Sequence, residues 1–501
     1  MEATSNKNVS VYCKCFRLLF GNIINRPEKM EKIIHLIVIL SITMGVATCS
    51  AQKQRSGLTV TKVTRSKVGS ALTIDGRWGT FINGKSYQQM PVDTYKGWQY
   101  VTCYDPQRHV CIGRRKLPDG AWELIHFTDY LFGGNDNHNV AVLGISHGDG
   151  TIHLAFDHHG EPLNYRVSQP GAATDPDNTQ WNASLFSDVR DWLKQGEHLS
   201  NVTYPRFVPT PQGGLLFVSR NGASQNGKIT FAEYKPDGGG WSRRRDVTSN
   251  QGMYVFGDKE FDHRNAYLNG VHYRKGSKRL HMSWCWREAL ARMHDLNYAY
   301  SDDNGRNWFN SAGRQIGSPG QLISVNSPGL VAWEITPDQG LDNQQGQYVD
   351  DLDRPHICVW HLLNGETSKD RDPANSAYYH YWRDETGLWR QNKIFSPVGG
   401  GEDEQRNRPK ILSTSDNDLI AMFNNKERIV LVSATAENQY RDWSVIHVEE
   451  GPWDGEPLPD LNRWREEGVL SIYMQKNPSK NGEPTDLYVV DFSFAATGKN
   501  K

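Results

Sequence analysis

Short runs of alternating apolar and polar residues, broken by turns every eight to twelve residues or so, constrain this chain most. HVCIGRRKL, TIHLAFDHH, GGLLFVSRN, RLHMSWCWRE, HICVWHLL and DLIAMFN are such runs, each bounded by Gly, Asp, Asn or Pro. A period of two places alternate side chains on opposite faces, so these segments predict half-buried strands. The best helix candidate is NASLFSDVRDWLKQG, from Asn182 to Gly196. The pattern therefore predicts an all-β protein.

A loose repeat runs through the strands. Trp122, Trp181, Trp241, Trp308, Trp389 and Trp443 fall at comparable places in successive units. Their spacing leaves room for about seven units of roughly 60 residues. Many short strands in repeated units need a closed arrangement that hides their edges, and radial repetition of four-stranded sheets provides one. The expectation is a seven-bladed β-propeller in a single domain over residues 52–501. SDDNGRNW, from Ser301 to Trp308, fits the pattern S-x-D-x-G-x-x-W. In this Asp-box the Asp holds a hairpin turn, the Gly takes a positive φ and the Trp packs into the blade.

Residues 1–51 read as an upstream extension plus a signal peptide. Lys29 and Lys32 precede the apolar run from Ile33 to Met44, which is too short to span a bilayer. Met30 is an alternative start. Cleavage after Ala51 and lipid anchoring at Cys49 are both open, and either way the chain is expected to be exported, with no transmembrane span. Lys+Arg 56 against Asp+Glu 57 leaves no basic excess for nucleic acid. After the leader only Cys103, Cys111, Cys285 and Cys358 remain, too few for a disulfide scaffold. Cys103 and Cys111 flank a turn and either face each other across a hairpin or stay as buried thiols.

Five of the seventeen histidines lie between residues 135 and 166. Four polar segments end strands where loops would line one mouth of a propeller channel. They are Asn137-His138-Asn139, His158-His159, Thr203-Tyr204-Pro205-Arg206 and Ser219-Arg220-Asn221-Gly222. His147 and His153 read as turn or blade residues. His158 and His159 point to opposite faces of a strand, which disfavours a shared metal. A structural zinc elsewhere would use Cys285 with His263, His272, His281 or His294.

Several pieces in order resemble the BNR-repeat propellers that include ulvan lyases and rhamnose–glucuronate lyases. They are D-N-H-N at Asp136–Asn139, H-x-x-P-L-x-Y at His159–Tyr165 and T-Y-P-R-F at Thr203–Phe207. S-R-N-G-A-S-x-N-G at Ser219–Gly227, R-N-A-Y at Arg264–Tyr267 and W-C-W-R-E at Trp284–Glu288 continue the series. The resemblance implies a polysaccharide lyase whose catalytic residues are His138, His159, Tyr204 and Arg220, with His158 as the alternative to His159. Asn139, His158, Arg206, Asn265, Arg287, Arg354, His356 and Arg408 are the expected substrate-binding residues.

The implied chemistry is β-elimination at C4 of a uronate. Arg220 would neutralise the carboxylate and a neutral His would take the C5 proton, with no cofactor required. Tyr204 would protonate the leaving oxygen or serve as the base with a His as acid. The expected substrate is the L-rhamnose-α-1,4-D-glucuronate linkage of arabinogalactan side chains, with ulvan as an alternative. An α-L-rhamnosidase acting on the same linkage is the hydrolytic rival. Its carboxylate candidates are Asp136, Asp157, Glu161 and Asp353, and Gln replaces the expected His in Tyr87-Gln88-Gln89. A non-catalytic glycan-binding propeller is the third reading.

Overall fold

The computed structural model describes residues 57–76, 79–362, 376–395 and 407–496. The expected leader, with Met30 and Cys49, lies outside these residues. Among the described residues no helix is long and apolar enough to cross a membrane.

Seven antiparallel sheets form the blades of a β-propeller. The first blade runs outward through Val92–Tyr95, Trp98–Tyr104, His109–Lys116 and Glu123–Leu131. The second has three strands, Ala141–Ile145, Ile152–Phe156 and Tyr165–Val167. The third is built on Val202–Pro209, Leu215–Ala223 and Asn226–Lys235, and the fourth on Asn265–Tyr273, Leu280–Arg287 and Met293–Ser301. Gly346–Val349 and Lys410–Ser413 begin the fifth and sixth blades. The seventh combines Trp453–Pro459, Leu470–Lys476 and Thr485–Ala496 with the first described strand, Leu58–Ala71. That strand pairs with the last, from Leu58 opposite Ala496 to Ala71 opposite Thr485. The first and last described strands thus complete this four-stranded blade and close the ring.

The helix expected at Asn182–Gly196 is not formed. Asn182 instead caps a single 3-10 turn, Ala183–Leu185, by accepting from the Ser184 N–H. The following residues lie extended along the second blade, bridging Phe186 to Ser168 and Arg190 to Tyr165. The three-stranded blade leaves backbone groups to satisfy, and this segment supplies the partners.

The Ser301–Trp308 turn shows how sequence fixes a blade. Asp303 Oδ1 accepts from the Ser301 hydroxyl (2.8 Å) and from the N–H groups of Arg306 (3.1 Å) and Asn307 (2.8 Å). Gly305 sits at φ +75°, where an added Cβ would meet Phe231 and Trp308 at 3.0 Å. Trp308 is 1% exposed and packs edge-on against Phe231 of the third blade. Such contacts fill the space between neighbouring sheets with large apolar side chains.

Candidate functional site

The propeller brings strand ends from separate blades together at one mouth. Asp157 takes φ +65° and ends the strand Ile152–Phe156 of the second blade. The chain then places His159–Glu161 inside the third blade, with His159 opposite Thr203. Thr203 in turn lies opposite Arg220. Strand register therefore aligns His159, the Thr203-Tyr204 pair and Arg220, which are far apart in sequence.

Tyr204 sits at φ +52°, inside an irregular stretch of register between Thr203 and Arg206. A bulky residue in the left-handed region is strained, and a bulge re-aims the side chain. Its ring lies 5.4 Å from Tyr87, 6.0 Å from His138, 5.8 Å from His159 and 5.9 Å from Tyr267, measured between centroids.

Asp136 organises the imidazoles. His138 Nδ1 donates to its Oδ1 (2.5 Å) and His159 Nδ1 donates to its Oδ2 (2.8 Å). The two rings stack at 4.2 Å with 17° between planes. A carboxylate partner assigns the proton to each Nδ1 and makes each Nε2 the basic nitrogen. Burial of Asp136 opposes its ionisation, but the hydrogen bonds from His138 and His159 outweigh that and hold it far below the usual carboxylate range. Burial lowers the His138 pKa below the ordinary value, with His159 and Arg408 acting in the same sense and Asp136 opposing. Asp136, His138 and His159 also converge closely enough to hold a divalent cation.

Cations line the other side. Arg220 is 3% exposed and donates to the Tyr267 hydroxyl and Thr203 Oγ1, both at 3.3 Å. Half-buried Arg287 donates to the same Tyr267 hydroxyl (3.2 Å). Among the described residues neither guanidinium pairs with a carboxylate. Arg408 differs, because Glu456 (2.8 Å) and Asp342 (3.4 Å) balance it. A buried guanidinium without a counter-charge is costly, so Arg220 and Arg287 together make a preformed anion site. Burial raises the Tyr204 phenol, reinforced by neighbouring Tyr267, and keeps it protonated at neutral pH. Burial would also raise Tyr267, but Arg220 and Arg287 outweigh it and hold that phenol below its ordinary value.

The structure thus brings His138, His159, Tyr204, Arg220, Arg287 and Arg408 together. Of the other expected residues, Arg206 lines a small cavity with Tyr204, Arg220 and Tyr267, and Asn265 stands opposite Arg287 in register, while the rest are engaged elsewhere. His158 is fully buried and its Nε2 accepts from the Asn164 N–H (2.7 Å); burial lowers its pKa to about 3. Asn139 is bound to Asp157, and Asn265 holds the Gln225 N–H. Arg206 is enclosed, its pKa lowered by burial to about 9. Arg354 and His356 both bind Asp350 in the fifth blade. Asn139, His158, Arg354 and His356 are thus tied to neighbouring strands and loops by internal hydrogen bonds. His153 is buried in its blade against Tyr165, and His147 stacks on Tyr95.

Three participants had no assigned site role in the sequence reading. Asp136 counted only as one of four hydrolase carboxylates, although it stands two residues before His138. Tyr267 ends the quoted R-N-A-Y piece. Tyr87 donates to Asn137 Oδ1 (3.1 Å) and stacks on His138 at 4.9 Å. Their neighbours come from other blades, so spacing along the chain carries little sign of them. The zinc set expected around Cys285 is absent among the described residues; its thiol faces the carbonyls of Tyr267 and Asp342.

Comparison with known proteins places the fold. The crystal structure of polysaccharide lyase Uly1 aligns over 86% of this chain and 99% of its own, with a TM-score of 0.66 and 17% identity. A PL25 ulvan lyase bound to -[GlcA(1-4)Rha3S]- aligns over 87% and 98%, with a TM-score of 0.59 and 12% identity. In sequence, the long isoform of ulvan lyase from Pseudoalteromonas sp. (strain PLSV) is 23% identical over 472 residues, covering 80% of this chain and 43% of that protein. The counterpart from Alteromonas sp. is 26% identical over 468 residues, with the same coverage. The chain spans less than half the length of these relatives. Residues 98–396, more than half of the chain, match the BNR repeat-containing family, and the chain belongs to that family.

Proposed function

We propose that this chain is a polysaccharide lyase that cleaves a rhamnose-(1,4)-glucuronate linkage by β-elimination. The observation that carries the reading is the pair Arg220 and Arg287, enclosed without carboxylate partners beside two imidazoles and a protonated phenol. A uronate carboxylate would supply the missing counter-charge. Its neutralisation acidifies the C5 proton, which is the step most in need of help.

Nε2 of His138 or His159 accepts the C5 proton. The C5–H electron pair becomes the C4–C5 double bond, and the C4–O bond breaks. The Tyr204 hydroxyl donates its proton to the departing oxygen. Asp136 holds both imidazoles in the base-competent tautomer and stabilises the imidazolium that forms. Arg287 and Tyr267 extend the anion site, and the Arg408–Glu456 pair braces Tyr87 behind His138. The chemistry needs no metal.

The relatives named ulvan lyase favour the sulfated algal polymer, while the segments LTIDGRWGTFINGKSYQQ (72–89) and YKGWQYVTCYD (95–105) resemble the rhamnose–glucuronate lyases. Both substrates place rhamnose on O4 of a uronate. Hydrolysis has less support: both oxygens of Asp136 are engaged, Asp157 is bound by Tyr130 and Asn139, and Gln88 is fully buried. We also read the chain as exported, from its apolar leader.

The test is incubation with ulvan and with gum arabic, following ultraviolet absorbance and free rhamnose in the presence and absence of a chelator. A rise in absorbance on either glycan, unaffected by chelation, is the expected outcome. Release of rhamnose with no absorbance gain would replace elimination by hydrolysis. Binding without turnover on any uronate glycan would leave a lectin-like propeller. A chelator-sensitive reaction would assign the Asp136–His138–His159 cluster to a metal.

A further inference from the structure

A second constellation lies in the first blade, away from the proposed chemistry. Cys103, Cys111 and His126 stand directly opposite one another on three adjacent strands. Residues in register on neighbouring strands project to the same face. Asp105 and His109 lie two residues from Cys103 and Cys111, so the period of two adds them to that face. Five ligand-type side chains are thereby gathered on one patch of sheet.

The contacts are close. Cys111 Sγ is 3.2 Å from His126 Nδ1, and that nitrogen is 2.7 Å from Asp105 Oδ2. The ligand atoms of Asp105, Cys111 and His126 all lie within 4.8 Å of one another. Cys103 faces Cys111 in register across the strand pair, but its thiol lies outside that close group and would have to turn toward it to bind the same ion. A zinc tetrahedron with Zn–S near 2.3 Å and Zn–N near 2.1 Å has an S···N edge of about 3.5 Å, so the observed separation needs only a small adjustment. The outer oxygen of the Asp105 carboxylate is fixed by the His109 N–H (2.8 Å), and His109 Nδ1 reaches Oδ2 (3.2 Å). Metal-bound carboxylates are commonly held by such outer hydrogen bonds. His126 is 47% exposed and provides a way in for a hydrated ion, whereas both cysteines are buried.

We infer that Cys103, Cys111, His126 and Asp105 form a structural site for a thiophilic divalent cation such as zinc. Two thiolates, an imidazole and a carboxylate complete four-fold coordination, and binding releases the two thiol protons to solvent. The thiols belong to an apolar cluster in which Val92 and Val101 of the first blade meet Leu458, Tyr473 and Leu487 of the seventh. The ion would therefore pin the first blade beside the seam where the ring closes. This inference does not depend on the proposed lyase activity.

The test uses the full chain, purified without chelator and analysed for metal, then stripped and reloaded with cobalt(II). One equivalent of zinc and a thiolate-to-cobalt charge-transfer band in the ultraviolet are expected. Cys103→Ser, Cys111→Ser and His126→Ala should each lose that equivalent, and Asp136→Asn should retain it. A metal-free protein, with two reduced thiols or a Cys103–Cys111 disulfide, would overturn the inference. So would zinc that persists in the cysteine variants or leaves with Asp136→Asn. The cobalt spectrum of the unaltered chain decides the matter if a cysteine variant fails to fold.

Discussion

Among the described residues two histidine pairs stack, each with an aspartate, and they are opposite in character. His138 and His159 stack at 4.2 Å and share Asp136, with side chains 18% and 26% exposed. His356 and His380 stack at 5.1 Å and are fully buried, enclosed by Trp382, Tyr440 and Trp443. There Asp350 binds one of the two imidazoles, His356, whose other nitrogen lies 2.9 Å from His380. The nearby Arg354 is paired with Asp350, while Arg220 near the first pair has no acid. Identical residue types thus serve packing in one place. In the other they face open space beside an unbalanced cation.

The comparison breaks most readily at the cations. Arg220→Ala should lower kcat/KM on a uronate glycan by about 1000-fold, since it removes a buried charge-assisted contact to the developing dianion. Steady-state kinetics check it, and a loss of less than tenfold would move the carboxylate elsewhere. Tyr204→Phe should cost about 100-fold in kcat with little change in KM, as expected for a lost general acid. Leaving-group dependence sharpens this: a substrate with a more acidic leaving oxygen should recover part of the loss.

The buried pair should respond on a different axis. His356→Ala removes one partner of a buried aspartate and opens a cavity. Unfolding in urea should show about 2–4 kcal/mol of lost stability, while the folded fraction keeps its kcat. A kinetic defect in a stable His356→Ala protein would put the two pairs in one class.

The smallest expected effect is in the pH profile. The base must be neutral, and burial holds the His138 pKa below the ordinary value of 6.5. Activity is then present above that depressed pKa and is lost as pH falls through it, so the acid limb lies below pH 6.5. The raised Tyr204 phenol stays protonated through the neutral range and leaves a broad plateau. An acid limb above the ordinary histidine value would exclude His138 as the base.

Much of this fold is legible in the chain because alternation and turn chemistry are local. The strands at residues 109–116, 280–287 and 419–425 follow directly from their apolar periods. Asn182–Gly196 misleads because its apolar spacing suits a helix, yet the short second blade needs an extended partner. At the site, alternation separates His158 from His159 without saying which one faces inward. That choice is set by the turn at Asp157 and by the transfer of His159 to the next blade. Arg354 and His356 stand where a strand begins and Arg220 near the end of one, but an aspartate neighbour in the fold claims the first two. Tyr267 gains its unusual phenol from Arg220 and Arg287 on other strands, a relation no local pattern encodes.

The central claim is that the protein removes a proton beside a carboxylate rather than adding water across a glycosidic bond. Mass spectrometry of the products from a defined rhamnosyl-glucuronate oligosaccharide tests it most directly. Elimination predicts a uronate lighter by one water than the hydrolysis product, with an unsaturated non-reducing end, and no such product from the Arg220→Ala protein. Products that together exceed the substrate by one water would contradict it.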